Sequence, residues 1–190
     1  MRKIIVIAMV SLDNYSTGPG GDLRVLTSSE AFDAYNAERM STATTLILGA
    51  NTYNGFRGFW PAVADNPEAT DDQRTISRRN SEMRKFVVSD SLTAADTAPW
   101  TDTTTIVPRA AAHERIAALK LEAGGDILIF GSRTLWHDLL AAGLIDEIHF
   151  IQGSVVTGGG ATAFDQPVTL RLLGAERYGD SDNLILRYQV

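Results

Sequence analysis

The chain has no cysteine among its 190 residues, which excludes a disulfide framework, a thiolate metal site and a cysteine nucleophile. Positive charge is also in short supply. Lys and Arg number 17 against 23 Asp and Glu, a net charge of −6, and that field repels polyanions, so neither nucleic acid nor an anionic membrane surface is an expected partner. Long apolar runs are missing as well, since no stretch approaches the roughly 20 residues of a bilayer crossing. The basic start Met1-Arg2-Lys3 leads into an apolar run of about seven residues and then Ser11-Leu12-Asp13, with no small-residue cleavage pattern, so it reads as a first core strand and not as a leader. A soluble, cytoplasmic protein is expected. The three histidines, His113, His137 and His149, lack metal-ligand spacing, and no nucleophile elbow, Walker loop or zinc signature occurs.

What is present fits an ordinary packed protein. Hydrophobic residues make up 44% and charged residues 21%, and the length suits one domain, 1–190, with a continuous core. Runs rich in Ile, Val, Leu and Phe predict strands at 4–9, 46–48, 86–88, 105–107, 127–130, 145–152 and 184–190, with a further strand at 169–173. Several are apolar throughout, as in strands covered on both faces. Between them lie helical patterns. Ser28 or Ser29 can cap a helix through Phe32, Tyr35 and Met40, with Glu30 in its first turn. Residues 110–123 stop at Gly124-Gly125, and residues 134–142 stop at Gly143. The alternation predicts an α/β fold: a mainly parallel central sheet, helices on both faces, and an antiparallel C-terminal edge where no crossover helix fits. Residues 61–82 are polar and read as a surface excursion with at most a short helix.

Two strand-to-helix corners echo each other. Leu46-Ile47-Leu48-Gly49-Ala50-Asn51-Thr52 and Ile127-Leu128-Ile129-Phe130-Gly131-Ser132-Arg133-Thr134 both read as buried strand, glycine, two residues, threonine, helix. Glycine permits a sharp turn and close approach of a ligand, while the first amides of the next helix point outward. One such corner usually serves only the turn. Two side by side make an anion clamp able to grip a diphosphate between two helix N-termini.

The stretch 125–135, continued by Leu139-Leu140-Ala141-Ala142-Gly143-Leu144-Ile145-Asp146-Glu147, resembles the C-terminal reductase domain of the bifunctional riboflavin-biosynthesis deaminase/reductase and its stand-alone relatives, within the dihydrofolate reductase-like family. Ser11-Leu12-Asp13-Asn14-Tyr15, Leu48 to Tyr53, Lys85-Phe86-Val87-Val88-Ser89 and Val155-Val156-Thr157-Gly158-Gly159-Gly160 follow the family pattern in the same order. The resemblance implies a dihydrofolate reductase-like fold and an NADPH-dependent oxidoreductase that passes hydride to a pyrimidine-linked imine or a pterin-like heterocycle. The closest family activity is reduction of 5-amino-6-(5-phosphoribosylamino)uracil.

By that resemblance Gly49, Ala50, Asn51 and Thr52, with Phe130, Gly131, Ser132, Arg133, Thr134 and Leu135, hold the cofactor. Ser89 lies near the adenosine end and Ala8 near the nicotinamide. The family's usual basic residues are replaced by Ala50 and Asp90, so NADH is not excluded; Arg57, Arg109 and Arg133 are possible substitutes. Asn14 stands where the family has glycine and tolerates left-handed backbone. A small heterocyclic substrate and a homodimer are the expected partners.

Reduction of a C=N bond is helped by protonation of the nitrogen, and two aspartates are placed for it. Asp33 stands on the first helix, sixteen residues before Gly49, a spacing that resembles the pterin-binding acid of dihydrofolate reductases; its plain alternative is an exposed helix carboxylate. Asp13 follows the first strand, and its alternative is a turn-forming residue. Tyr53, Phe56, Phe59 and Trp60 can wall a flat ring, although core packing or a subunit interface is the commoner use of such a group. Gly158 to Gly160 reads as a hairpin or bulge, because no helix opens after it. The same fold without turnover, a dinucleotide- or small-molecule-binding module, is the alternative function, and a structural dimerisation protein a third.

Overall fold

A computed structural model describes residues 1–26 and 30–190; the predicted caps of the first helix, Ser28 and Ser29, lie outside the described residues. Eight strands form one sheet: β1 (Ile4–Val10), β2 (Ala43–Gly49), β3 (Arg84–Val88), β4 (Thr104–Val107), β5 (Asp126–Phe130), β6 (Glu147–Gln152), β7 (Arg171–Arg177) and β8 (Leu184–Gln189). Their order is β4-β3-β2-β5-β1-β6-β8-β7. From β4 to β6 every pairing is parallel, and β8 and β7 add the antiparallel edge.

Side chains of a strand alternate between faces, and β1 divides accordingly. Ile4, Val6 and Val10 enter one apolar cluster, Ile5 and Ile7 the other. The first cluster is covered by α4 (Ala112–Leu121), through Ile116 and Leu119, and by α5 (Arg133–Ala141), through Trp136 and Leu139. The second is covered by α1 (Glu30–Thr42), through Tyr35 and Met40, by α2 (Ala50–Val63), through Tyr53, and by α3 (Asp71–Glu82), through Ile76. Burial on both faces is why the central strands carry uninterrupted apolar runs.

The polar stretch 61–82 departs from expectation. Its second half is α3, a twelve-residue helix, and Pro61 lies inside α2. Thr70 caps α3 by accepting from the Gln73 amide, while Gln73 caps the Thr70 amide in return. That S/T-x-x-Q capping box is a helix start written in the sequence. Ile76, Ser77 and Asn80 form its buried stripe, in which Ile76 is the one apolar residue, so no recurrence of apolar residues marks the helix.

The last strands also shift. The strand expected over 169–173 runs from Arg171 to Arg177, with Leu173 as the extra residue between the pairs Leu172–Tyr188 and Gly174–Arg187 of the β7–β8 ladder. A Cβ on Gly174 would stand 2.9 Å from Arg187 Nη2, so the glycine admits a neighbouring guanidinium.

Candidate functional site

β1, β2 and β5 lie side by side and point the same way, so the corners after β2 and β5 open at one edge of the sheet, where α/β folds collect ligands. The two corners are bonded to each other. The Gly49 amide donates to Ser132 Oγ at 3.0 Å, and the Ser132 amide donates to Thr52 Oγ1 at 3.1 Å. Gly131 turns at φ +52° and Ser132 follows at φ +48°, the left-handed region that a residue with a Cβ occupies at a cost. A Cβ on Gly131 would lie 3.2 Å from Thr52 Oγ1. Gly49, by contrast, has an extended backbone, so its conformation does not call for glycine.

Neither α2 nor α5 has a side-chain cap bond or an acidic residue in its first turn. Their leading amides therefore face outward unneutralised, each helix carrying about half a positive charge at that end. A groove of about 540 Å³ runs along them, bordered by Gly49, Ala50, Asn51 and Thr52 on one side and Ser132, Arg133, Thr134 and Leu135 on the other. Val88, Arg109, Ala112 and His113 continue it toward β3 and α4.

A second cavity of about 540 Å³ meets the groove at Asn51, Thr52, Ser132 and Arg133. Ala8, Phe130 and Gly131 form its sheet side, and Phe32, Met40, Phe56, Trp60 and Ile76 its helix side. Phe56 stacks at a tilt on Phe130 and edge-on to Trp60, both at 6.3 Å between ring centroids. The aromatic cluster thus divides its work, against the expectation of core or interface packing for the whole group. Phe56 and Trp60 wall a cavity, Tyr53 is core against Trp100, and Phe59 is 57% exposed.

The expected acids border neither cavity. Asp13 accepts from Ser11 Oγ at 2.6 Å and from the amides of Thr157 and Gly158 at 3.1 and 2.8 Å. Those bonds, the Ser11 hydroxyl first, hold its carboxyl down at about 2. It ties the loop after β1 to the glycine run, and the neighbouring Asn14 is left-handed at φ 64°. Asp33 accepts from Gln73 Nε2 at 2.9 Å, and burial raises its pKa. It joins α1 to α3. Ser89 caps the turn after β3, accepting from the amides of Ser91 and Leu92, and lies outside the groove lining.

Each basic substitute is engaged. Arg57 donates to Asn54 and Ala98, Arg109 faces Asp90 at 3.6 Å, and Arg133 pairs with Asp165 and donates to the Thr162 carbonyl. His137 binds Asp165, and His149 bonds Tyr35 and Glu147 with burial lowering its pKa. His113 meets Asp138 at 2.7 Å. Among the described residues no three His, Asp or Glu side chains gather as metal ligands, and no helix is long and apolar enough to cross a membrane.

Sequence reasoning missed Asn36 and Asn80, which border the cavity from α1 and α3. Asn36 left a trace: it stands midway between Phe32 and Met40 at four-residue spacing, a polar residue on an apolar helix stripe. Asn80 left none.

Residues 2–182 match the family model described as the RibD C-terminal domain. The chain belongs to the RibD C-terminal domain family. Among solved structures, a putative riboflavin biosynthesis protein from Shewanella sp. PV-4 superposes with a TM-score of 0.69 at 19% identity, over 98% of each chain. A Thermotoga maritima diaminohydroxyphosphoribosylaminopyrimidine deaminase/5-amino-6-(5-phosphoribosylamino)uracil reductase gives 0.65 at 14%, over 99% of this chain and 56% of that one. A pyrimidine reductase-like protein from Corynebacterium diphtheriae gives 0.60 at 13%, over 100% and 92%. No curated protein matches the sequence significantly. The fold has dihydrofolate reductase-like topology.

Proposed function

We propose that the chain is a nicotinamide-dinucleotide-dependent reductase, delivering hydride to an imine or ring C=N bond of a small heterocycle. The supporting observation is that a groove headed by two uncapped helix starts shares the wall Asn51, Thr52, Ser132 and Arg133 with an apolar, aromatic-walled cavity. The residues fit the cofactor. The outward amides after Gly49 and Ser132 suit a diphosphate, and the left-handed Gly131 leaves room for the Thr52 side chain at the corner between groove and cavity. Ala8, small and at the cavity side of β1, leaves room for a flat ring beside Phe130. The bound dinucleotide supplies the hydride.

The chain's own residues orient and exclude water. Phe56 and Trp60 supply a flat apolar wall for the acceptor ring, and the Ser132–Thr52 clasp fixes the corner between donor and acceptor sides. No carboxylate borders the cavity among the described residues, so the proton completing the reduction comes from solvent, and Asp13 and Asp33 act as positioning residues. Reduction of the phosphoribosylaminouracil of riboflavin biosynthesis is the candidate reaction that the family supplies. The lack of a cavity carboxylate also favours the second reading, a binding module without turnover. The expected homodimer stays part of the proposal, since β7 leaves Leu172 and Leu173 55% and 41% exposed on an edge strand.

For the cofactor, Asp90 accepts from the Arg109 amide at 2.9 Å and stands 3.6 Å from its guanidinium. A 2′-phosphate at that end would meet a cation already answered by a carboxylate, which favours NADH over the expected NADPH. Thermal-shift titration tests both points, because ligand linkage makes the stability gain report affinity. NADH is expected to raise Tm more than NADPH, and Asp90→Ala to strengthen NADPH binding about threefold to tenfold through the freed arginine. Negligible shifts with both dinucleotides would remove the reductase reading. NADH consumption with a heterocyclic imine separates enzyme from binder.

A further inference from the structure

We propose that the cavity takes an imine whose body is hydrocarbon, aliphatic or aryl, and that carries neither sugar nor phosphate. The inference deepens the reductase reading and rests on it for the C=N bond being the reacting part.

The cavity wraps the ends of β1 and β5 and is apolar on both faces of the sheet. Phe32, Met40 and Ile76 belong to the cluster on one face, and Trp136, Phe150 and Ala163 to the cluster on the other. Leu23 carries the same character to the rim, bordering the cavity while 58% exposed. Polar lining residues away from the groove are engaged within the protein. Ser16 Oγ donates to the Ala161 carbonyl at 3.1 Å, and Thr17 Oγ1 accepts from the Ala161 amide at 3.0 Å. Asn36 and Asn80 are 4% and 0% exposed, so they offer a ligand almost no surface. The remaining polar side chains, Asn51, Thr52, Ser132 and Arg133, all stand on the wall shared with the groove. A substrate therefore meets polar neighbours at that corner and hydrocarbon elsewhere, which sets its C=N end toward the groove and its body against the far walls.

The same lining excludes the sugar phosphate that the family's candidate reaction would bring. Arg133 is the one cation bordering the cavity among the described residues, and it is already paired with Asp165 and bonded to the Thr162 carbonyl. A phosphate set against Met40, Phe56, Trp60 and Ile76 would lose its hydration with nothing to replace it, and ribose hydroxyls would lose theirs. A methylene taken out of water there gains about threefold to fourfold in affinity. The reaction balances with the dinucleotide as reductant. Hydride from the dihydronicotinamide forms the new C–H bond at the imine carbon, the C=N π pair passes to nitrogen and takes a proton from solvent, and an amine and the oxidised dinucleotide leave.

The test titrates 2-methyl-, 2-butyl- and 2-phenyl-1-pyrroline, as neutral imines, into the whole chain by calorimetry with and without NADH. Uridine 5′-monophosphate is scored by its displacement of the phenyl compound, so that its binding in the groove does not count. Affinity should rise about thirtyfold from methyl to butyl, and the nucleotide should compete for the cavity more weakly than the phenyl compound binds. Phe32→Gln should weaken the butyl and phenyl compounds about fivefold and leave the methyl compound within about twofold, flattening the rise with carbon number. A residue with only a structural role would weaken all three alike. No pyrroline binding, an affinity that does not rise with chain length, equal losses for all three in Phe32→Gln, or a nucleotide that competes as well as the phenyl compound would each overturn the inference. NADH binding is read separately: NADH bound with no pyrroline sinks this inference alone, and pyrrolines bound with the expected rise but no NADH sink the reductase reading and leave an apolar binding site.

Discussion

The groove and the cavity are of similar size and share one wall, yet they are built on opposite principles. The groove's corner is backbone and small side chains at two uncapped helix starts, with the polar side chains of Arg109, His113, Arg133 and Asp138 around it. The cavity is side chain: aromatic and aliphatic walls, with Asn36 and Asn80 on its border. Backbone sites hold what is constant, by the proposed reading a diphosphate, because amides and dipoles cannot drift without the fold. Side-chain sites change ligand with a few substitutions, which is why family membership speaks for the groove more than for the cavity.

The sharpest way to break this contrast is at Gly131. Gly131→Val forces a branched side chain into left-handed backbone at φ +52°, 3.2 Å from Thr52 Oγ1. About 2 kcal/mol of stability should go, and NADH affinity should fall at least about a hundredfold, read by thermal shift and titration. If NADH binds normally to that variant, the corner that Thr52 and Gly131 form between the two spaces is not part of the cofactor site. Trp60→Ala should do the converse, weakening a flat heterocyclic probe, quinazolin-4(3H)-one, a lactam, about tenfold and leaving NADH within about twofold by calorimetry. Equal losses of both ligands would mean that the two spaces act as one.

The smallest effect on ligands is expected at Lys85. Its side chain is fully buried in β3, with Nζ donating to the Met83 carbonyl and Thr103 and lying 4.7 Å from the Trp100 ring. No carboxylate answers it in those contacts, and burial brings its pKa down to about 8 from 10.5. The unfolded chain then binds more protons between those values, so the charged lysine burdens the fold fully below pH 8 and the burden lifts as pH rises toward 10.5. Wild type should gain on the order of 1 to 3 kcal/mol relative to Lys85→Met between pH 7 and 10, measured by denaturant unfolding, with NADH and lactam affinities unchanged at pH 7. A flat difference between the two proteins would show that the lysine is solvated.

The same contrast explains what the sequence could tell. Groove residues were legible because glycine, a strand and a helix start follow one another along the chain at both corners, so local pattern carries the geometry. Even there the mutual clasp of Gly49, Ser132 and Thr52 was hidden, since it joins residues about eighty apart. The cavity is assembled from β1, α1, α2, α3 and β5, and nothing local brings Trp60 opposite Phe130. Asp13 and Asp33 drew attention as lone acids near the right elements, but their partners, Gly158 and Gln73, are distant in sequence. α3 was passed over because its apolar content is slight, although its Thr70–Gln73 box announced it.

The central claim is that a cofactor in the groove and a heterocycle in the cavity touch at the shared corner. Interligand nuclear Overhauser effects, recorded with the protein, NADH and quinazolin-4(3H)-one together, test that contact directly. Cross-peaks between the dihydronicotinamide C4 protons and the lactam ring are predicted. Two ligands that both bind and give no cross-peak would contradict it.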